Sequence, residues 1–437
     1  MIRDRMAVVH LHPRLAPVYP LGTRLNDAGR LEVGGCDTRE LAREFGTPAY
    51  IVVEDDLRTR ARAFVEAFRS ASPTAEVVFA SKAFPCTAVY RVLAEEGIGC
   101  DVASAGELAS ALRGGFNPRD IHLHGNAKTE EELAYALESR IGAIVVDNHD
   151  EIDRLAALLA TRDQRQRVLV RVAPGVSPDT HPSISTGGPN TKFGFNLEDA
   201  RRAITRLQAD PRIDLEGIHF HIGSQILDLA PFGAALRAVS ELGDFGTYNL
   251  GGGLGVQYTA DQPPPPSIEE YAIAKVALVQ QLFGPGKRVI DEPGRALTAH
   301  STLTLYTVQS VKQNVATWVA VDGGMSDNLR PMLYGSRYEV DVVDRLTDPD
   351  AGSAGGDVVC HVTGKHCESG DVLVRDARLA DPRVGDVLAT PVTGAYGHAM
   401  ANTYNGSPRP PVIFVKDGDA RVVVRRETRE DLFARDV

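Results

Sequence analysis

VVFASKAFPCTAVYRVLAEEGIGCDVASAGELASALRGGFNPRDIHLHGNAKTEEELAYALESRIGAIVVD, residues 77–147, repeats one phrase. A short β-branched or apolar run (VVFASK from Val77, CDVAS from Cys100, IHLHG from Ile121, AIVVD from Ala143) alternates with stretches whose apolar residues recur at three and four: RVLAEEG, GELASALRGG, EELAYALESR. Ser104 with Glu107, and Thr129 with Glu132, have the spacing of capping boxes. The unit of roughly 22 residues, strand then helix, is that of a parallel sheet, whose neighbouring strands can be joined only by crossovers. Outward from this stretch the pattern continues through EIDRLAALLA, RVLVRVA from Arg167, GIHFHIGS from Gly217, YNLGGG from Tyr248 and RVIDEPG from Arg288. Eight strands alternating with helices predict a (β/α)8 barrel, a TIM barrel in the α/β class. An open dinucleotide-binding sheet is disfavoured, because no G-x-G-x-x-G follows the first strand.

Beyond about residue 300 the texture changes. LTLYTVQSV, WVAVDGG, VVCHVTG, GDVLAT, PVIFV and ARVVVRRE are β-rich runs between Gly, Pro and Asp turns, which predicts a mostly antiparallel C-terminal β domain. The expected division is a barrel over 46–298 and a β domain from 1–45 plus 299–437, the N-terminal residues packing on the latter. AGSAGG (351–356) reads as a hairpin tip and PPPP (263–266) as a rigid segment before a helix capped at Ser267.

A chain of 437 residues exceeds what one core usually supports, in agreement with two domains. A net charge of −11 excludes a basic nucleic-acid footprint and suits a soluble cytoplasmic enzyme. No apolar run reaches the roughly 20 residues of a membrane helix, and the N-terminus lacks the apolar core of a signal peptide. The cysteines Cys36, Cys86, Cys100, Cys360 and Cys367 are odd in number and form no C-x-x-C pair, which argues for a reducing compartment and against a structural zinc site.

Catalytic groups of such barrels gather at the C-terminal ends of the strands, with phosphate favoured after strands seven and eight. Those ends carry Lys82, Asp101, His124 with Asn126, His219 with His221 and Ser224, Gly251-Gly252-Gly253, and Glu292 with Arg295. A lysine there points into the barrel mouth, where desolvation makes its amine a nucleophile; the bland reading is a solvated surface lysine. Consecutive glycines let backbone N–H groups approach a phosphate, although they also make plain turns. His219-x-His221 could hold a metal, but no third ligand stands at convincing spacing, so a ring stacked on a flat cofactor is the better use. A satisfied core histidine is the alternative for His219.

FASKAF (79–84), DVASAGEL (101–108), HPSISTG (181–187), KFGF (192–195), HFHIGSQI (219–226), NLGGGLGV (249–256) and DEPGR (291–295) resemble the fold-type III pyridoxal-phosphate (PLP) decarboxylases. VDGGMSDNLRPMLYG (321–335), GKHCESGD (364–371) and TGAYGHAMANTYN (393–405) resemble the diaminopimelate decarboxylase family in particular, and the motifs run in order from about Gly46 to Val415. The resemblance implies an alanine racemase-like barrel with a C-terminal β domain, a homodimer with shared active sites, and conversion of meso-2,6-diaminopimelate to L-lysine and CO2. It implies that Lys82 carries PLP, that His221 stacks on its ring, and that Glu292 faces the pyridine nitrogen. Ser224, Gly252, Gly253, Gly294, Arg295 and Tyr396 would hold the phosphate side, with Asp101 completing the cofactor set. Cys367, from across the dimer, would reprotonate the product carbanion. Arg330 and Tyr334 would receive the distal carboxylate and Glu368 the distal ammonium, with Arg295 and Tyr396 also near the substrate. The competing readings are a fold-type III decarboxylase of ornithine, arginine, carboxynorspermidine or a carrier-bound amino acid, a non-catalytic relative, and a metal-dependent barrel hydrolase. Arg330 opposes a purely cationic tail, and the presence of Lys82, Glu292 and Cys367 opposes loss of catalysis.

Overall fold

The computed structural model describes residues 9–10, 16–176, 188, 191–346 and 357–437. The HPSISTG motif (181–187) and the AGSAGG tip (351–356) lie outside the described residues. The chain forms two units, one of Arg58–Val256 and Pro264–Leu297, the other of Met1–Leu57, Gln257–Pro263 and Thr298–Val437.

In the first unit eight parallel strands close a barrel among the described residues. They are β1 Glu76–Ala80, β2 Gly99–Val102, β3 Ile121–Leu123, β4 Ala143–Val146, β5 Gln166–Arg171, β6 Ile213–His219, β7 Thr247–Asn249 and β8 Arg288–Asp291. Closure pairs β8 with β1, Ile290 opposite Glu76 and Asp291 opposite Val77. Strands packed on both faces read as apolar runs rather than alternating ones, which is why AIVV of β4 is buried at every position. The helices between them bury one stripe each, for example Leu133, Ala136 and Leu137 of Glu130–Glu138. Thr129 makes the full capping box with Glu132. At Ser104 only half of the expected box forms: its hydroxyl accepts from Glu107 N–H at 3.2 Å, but the Glu107 carboxylate takes the N–H of Ala103 instead, at 2.7 Å. Ser267 caps Ile268–Phe283 with a complete box.

The second unit is built on a sheet ordered Val372–Ala380, Asp357–Thr363, Thr317–Val321, Thr302–Gln313, Ala49–Val53, Val412–Lys416, Asp419–Val424. It is mostly antiparallel, as the strand texture predicts, with two parallel pairs: Thr317–Val321 with Asp357–Thr363 and Ala49–Val53 with Val412–Lys416. Both parallel pairs join segments far apart in the chain, and turn texture in a sequence reports only hairpin neighbours. Residues before 46 contact this unit: Tyr19 OH donates to Asp341 at 2.6 Å and Leu31 N–H to the Val343 carbonyl at 2.7 Å. No helix among the described residues is long and apolar enough to cross a membrane.

Candidate active site

The C-terminal rim of the barrel gathers the ionisable groups. Lys82 stands two residues past β1, in a single 3-10 turn Ser81–Ala83, with its side chain exposed. Ser81 N–H donates to Asp101 Oδ1 at 3.2 Å, which ties this turn to β2. Asp101 is 7% exposed. Burial pushes its carboxyl up to about 7, against the pull of His124 and Lys82.

Glu292 follows β8 and is equally buried. Asn249 at the end of β7 donates its amide to Oε1 at 2.6 Å, and His219 at the end of β6 lies 3.2 Å from Oε2. His124 Nε2 is 2.9 Å from Oε1, close in charge contact though not aimed for a hydrogen bond. Burial alone would raise the Glu292 carboxyl, but His124 and His219 outweigh it and hold the group well below the usual range. Burial drives His219 down to about 3, so at neutral pH it is an uncharged ring that donates through Nε2–H. The result is a carboxylate kept ionised inside the barrel, one flank filled with donors.

His124, His219 and Glu292 offer one ligand atom each within 4.8 Å of one another, so they form a candidate metal triad in which His219 partners His124 rather than His221. Two features oppose that use. The Asn249 amide N–H points at Oε1, where a cation would compete with it. His219 Nδ1 has no partner among the described residues, whereas a metal-bound imidazole normally donates its other N–H.

Beside this carboxylate runs the turn Gly251-Gly252-Gly253. A Cβ on Gly252 would lie 1.9 Å from the Glu292 carbonyl, and one on Gly251 would lie 2.7 Å from His221 Nδ1, so backbone passes where no side chain fits. The N–H groups of Gly252 and Gly253 find no acceptor among the described residues. Gly253 abuts the Gly223 carbonyl, next to Ser224, whose hydroxyl accepts from buried Arg295 at 2.9 and 3.3 Å. Two unpartnered backbone donors near a hydroxyl and a guanidinium make an anion cradle.

The remaining candidates lie in the β unit. Arg330, on the helix Arg330–Tyr334, is 5% exposed, with its guanidinium carbon 4.7 Å from the Tyr258 ring centroid and Nη1 donating to Tyr338 OH. Its Nε has no partner among the described residues. Cys367 is exposed, unlike the other four cysteines, and its N–H donates to Asn405 Oδ1 at 3.0 Å. Asp371 shapes that loop by accepting from His366 N–H at 2.9 Å and Met325 N–H at 2.7 Å. Tyr334, Glu368 and Tyr396 are half-buried, Tyr396 with a left-handed backbone of φ 64°. Sequence reasoning gave no role to Asn249, Tyr258 or Tyr338. For Asn249 the signal was there, in the first letter of NLGGG.

A family model, the pyridoxal binding domain of pyridoxal-dependent decarboxylases, matches residues 54–299. A diaminopimelate decarboxylase of Actinosynnema pretiosum subsp. auranticum is 47% identical, over 96% of this chain and 95% of that protein. The chain belongs to the diaminopimelate decarboxylase family. Another member, from Bacillus subtilis (strain 168), is 43% identical over 95% of this chain and 97% of its own. The crystal structure of diaminopimelate decarboxylase from M. jannaschii in co-complex with L-lysine superposes with a TM-score of 0.87 at 33% identity, covering 95% of this chain and 97% of that one. The matched region contains all eight barrel strands and the rim from Lys82 to Arg295.

Proposed function

We propose that the chain decarboxylates meso-2,6-diaminopimelate to L-lysine and CO2, with PLP carried on Lys82. The buried, ionised Glu292 with Asn249 and His219 behind it is the observation that carries this reading. When bound, PLP supplies a protonated ring that takes up the electron pair left on Cα as CO2 departs. Glu292 keeps the proton on the ring nitrogen. His221 offers a flat face beside the glycine turn. Gly252 and Gly253 N–H, Ser224 and Arg295 bind the phosphate, Gly294 lets the turn before Arg295 lie close against Ala80 and Ala83, and Asp101 orients the turn that bears Lys82.

Arg330 binds the distal carboxylate with Tyr334, its guanidinium oriented by Tyr258 and Tyr338. Glu368 receives the distal ammonium, and Tyr396 serves the phosphate and the substrate. Cys367 of a second copy returns the proton to Cα, in a homodimer that shares its sites; the exposure of its thiol in one chain supports that role. Five unpaired cysteines and small polar metabolites as reactants support a cytoplasmic setting.

The test is an absorbance spectrum of purified protein with PLP, before and after meso-diaminopimelate, with CO2 and L-lysine collected. A visible band lost in Lys82→Ala, together with both products, is expected. A yellow protein that turns over ornithine and leaves diaminopimelate untouched would overturn the substrate, and a protein that PLP cannot colour would overturn the whole reading.

A further inference from the structure

Lys275 has no part in the chemistry above, yet it is a lysine only 1% exposed, on Ile268–Phe283. Its ammonium donates to the carbonyls of Gly251 at 2.7 Å and Leu250 at 3.3 Å, to Tyr271 OH at 2.9 Å, and to Asp291 Oδ1. Rings of Phe232 and Tyr271 lie 4.4 and 4.7 Å away. Stability does not account for such a pair, because desolvating two charges costs about as much as their attraction returns, and apolar residues of similar volume do as well or better.

Direction does account for it. The peptide unit is planar and trans, so the C=O of Gly251 and the N–H of Gly252 point opposite ways. Fixing the Gly251 oxygen from the Lys275 side therefore turns the Gly252 N–H away from it. The same oxygen accepts from Glu292 N–H at 3.2 Å, and Asp291, the counter-ion, directly precedes Glu292. One ammonium thus sets the glycine turn and the end of β8 in a common frame.

We propose that Lys275 is a positioning residue for the cofactor phosphate, aiming the Gly252 N–H into the anion cradle through the Gly251 carbonyl. This rests on the phosphate reading of that cradle given above. Pyridoxal, which lacks the phosphate, separates the two claims.

The variant to compare with wild type is Lys275→Met/Asp291→Asn, because Lys275→Met alone leaves a buried carboxylate unpaired and can unfold the barrel. Apoprotein is titrated with PLP and with pyridoxal, and its thermal midpoint is recorded. The expected result is a folded double variant whose PLP affinity falls about tenfold, the loss for one misdirected charge-assisted hydrogen bond, with pyridoxal affinity unchanged. Unchanged PLP affinity in the folded double variant, or equal losses for PLP and pyridoxal, would overturn the proposal. Wild-type apoprotein that binds PLP no more tightly than pyridoxal would take down the phosphate reading and this role with it.

Discussion

At the scale of single residues, the barrel interior holds carboxylates and imidazoles whose charge states are set by burial and by one another. Glu292→Gln keeps the shape and removes the charge, so kcat should fall about 100-fold or more with the fold intact, checked by steady-state rates beside a thermal melt. His122 gives a pH signature. Burial, above all, drives its imidazole down to about 3, and Nδ1 has no partner among the described residues. Its folded pKa lies below the unfolded value, so its share of stability is present above about 6.5 and is lost as pH falls toward 3. His122→Leu should remove up to about 2 kcal/mol of the loss between pH 7 and pH 5, read from denaturant midpoints at the two pH values. A variant with the wild-type pH slope would show that His122 is not the group responsible. Lys82, His219 and Glu292 were legible in the sequence because strand ends can be read from a repeat. The contacts of Asn249 and His124 with Glu292 were not, since they join residues 43 and more apart through the closure of the barrel.

At the scale of elements, turns and buried pairs hold the rim in place. Gly252→Ala would drive a methyl into the Glu292 carbonyl; a destabilisation of about 1–3 kcal/mol and weaker PLP retention are expected, read by calorimetry and dialysis. Lys128 Nζ reaches Glu151 at 2.8 Å and the carbonyls of Gly125 and Val145 at 2.8 and 2.7 Å, joining the segment after β3 to β4 and to the helix His149–Ala160. Lys128→Met should cost about 3–5 kcal/mol, and Lys128→Met/Glu151→Leu should recover most of it, because the first change strands a buried carboxylate and the second removes it. All eight barrel strands were legible, since strand and helix periods alternate cleanly. In the β unit VLVRDARLA escaped notice because Arg375 and Asp376 interrupt its apolar run, although both sit on exposed positions of a well-paired strand. AYIVV escaped because it stands beside the helix Glu54–Ala71 and reads as the opening of the barrel repeat.

At the scale of the whole molecule, the proposal that a homodimer shares its sites has a direct assay. Lys82→Ala and Cys367→Ala chains, each inactive alone, should regain about a quarter of wild-type activity when unfolded and refolded as an equal mixture, since half of random dimers are mixed and each carries one intact site. A mixture that stays inactive would place both groups in one chain. The order of the chain has a further consequence, for synthesis on the ribosome. Ala49–Val53 emerges early, yet its sheet partners are Thr302–Gln313 and Val412–Lys416. With roughly 250 residues to translate at about 5–20 per second, that apolar strand waits on the order of tens of seconds for its first neighbour. Throughout that interval the nascent polypeptide displays AYIVV, five positions all buried in the finished protein, as an unpaired sticky edge. Slow codons between the barrel and Thr302 would lengthen the exposure, and a chaperone that shields early strands would set the yield of active enzyme.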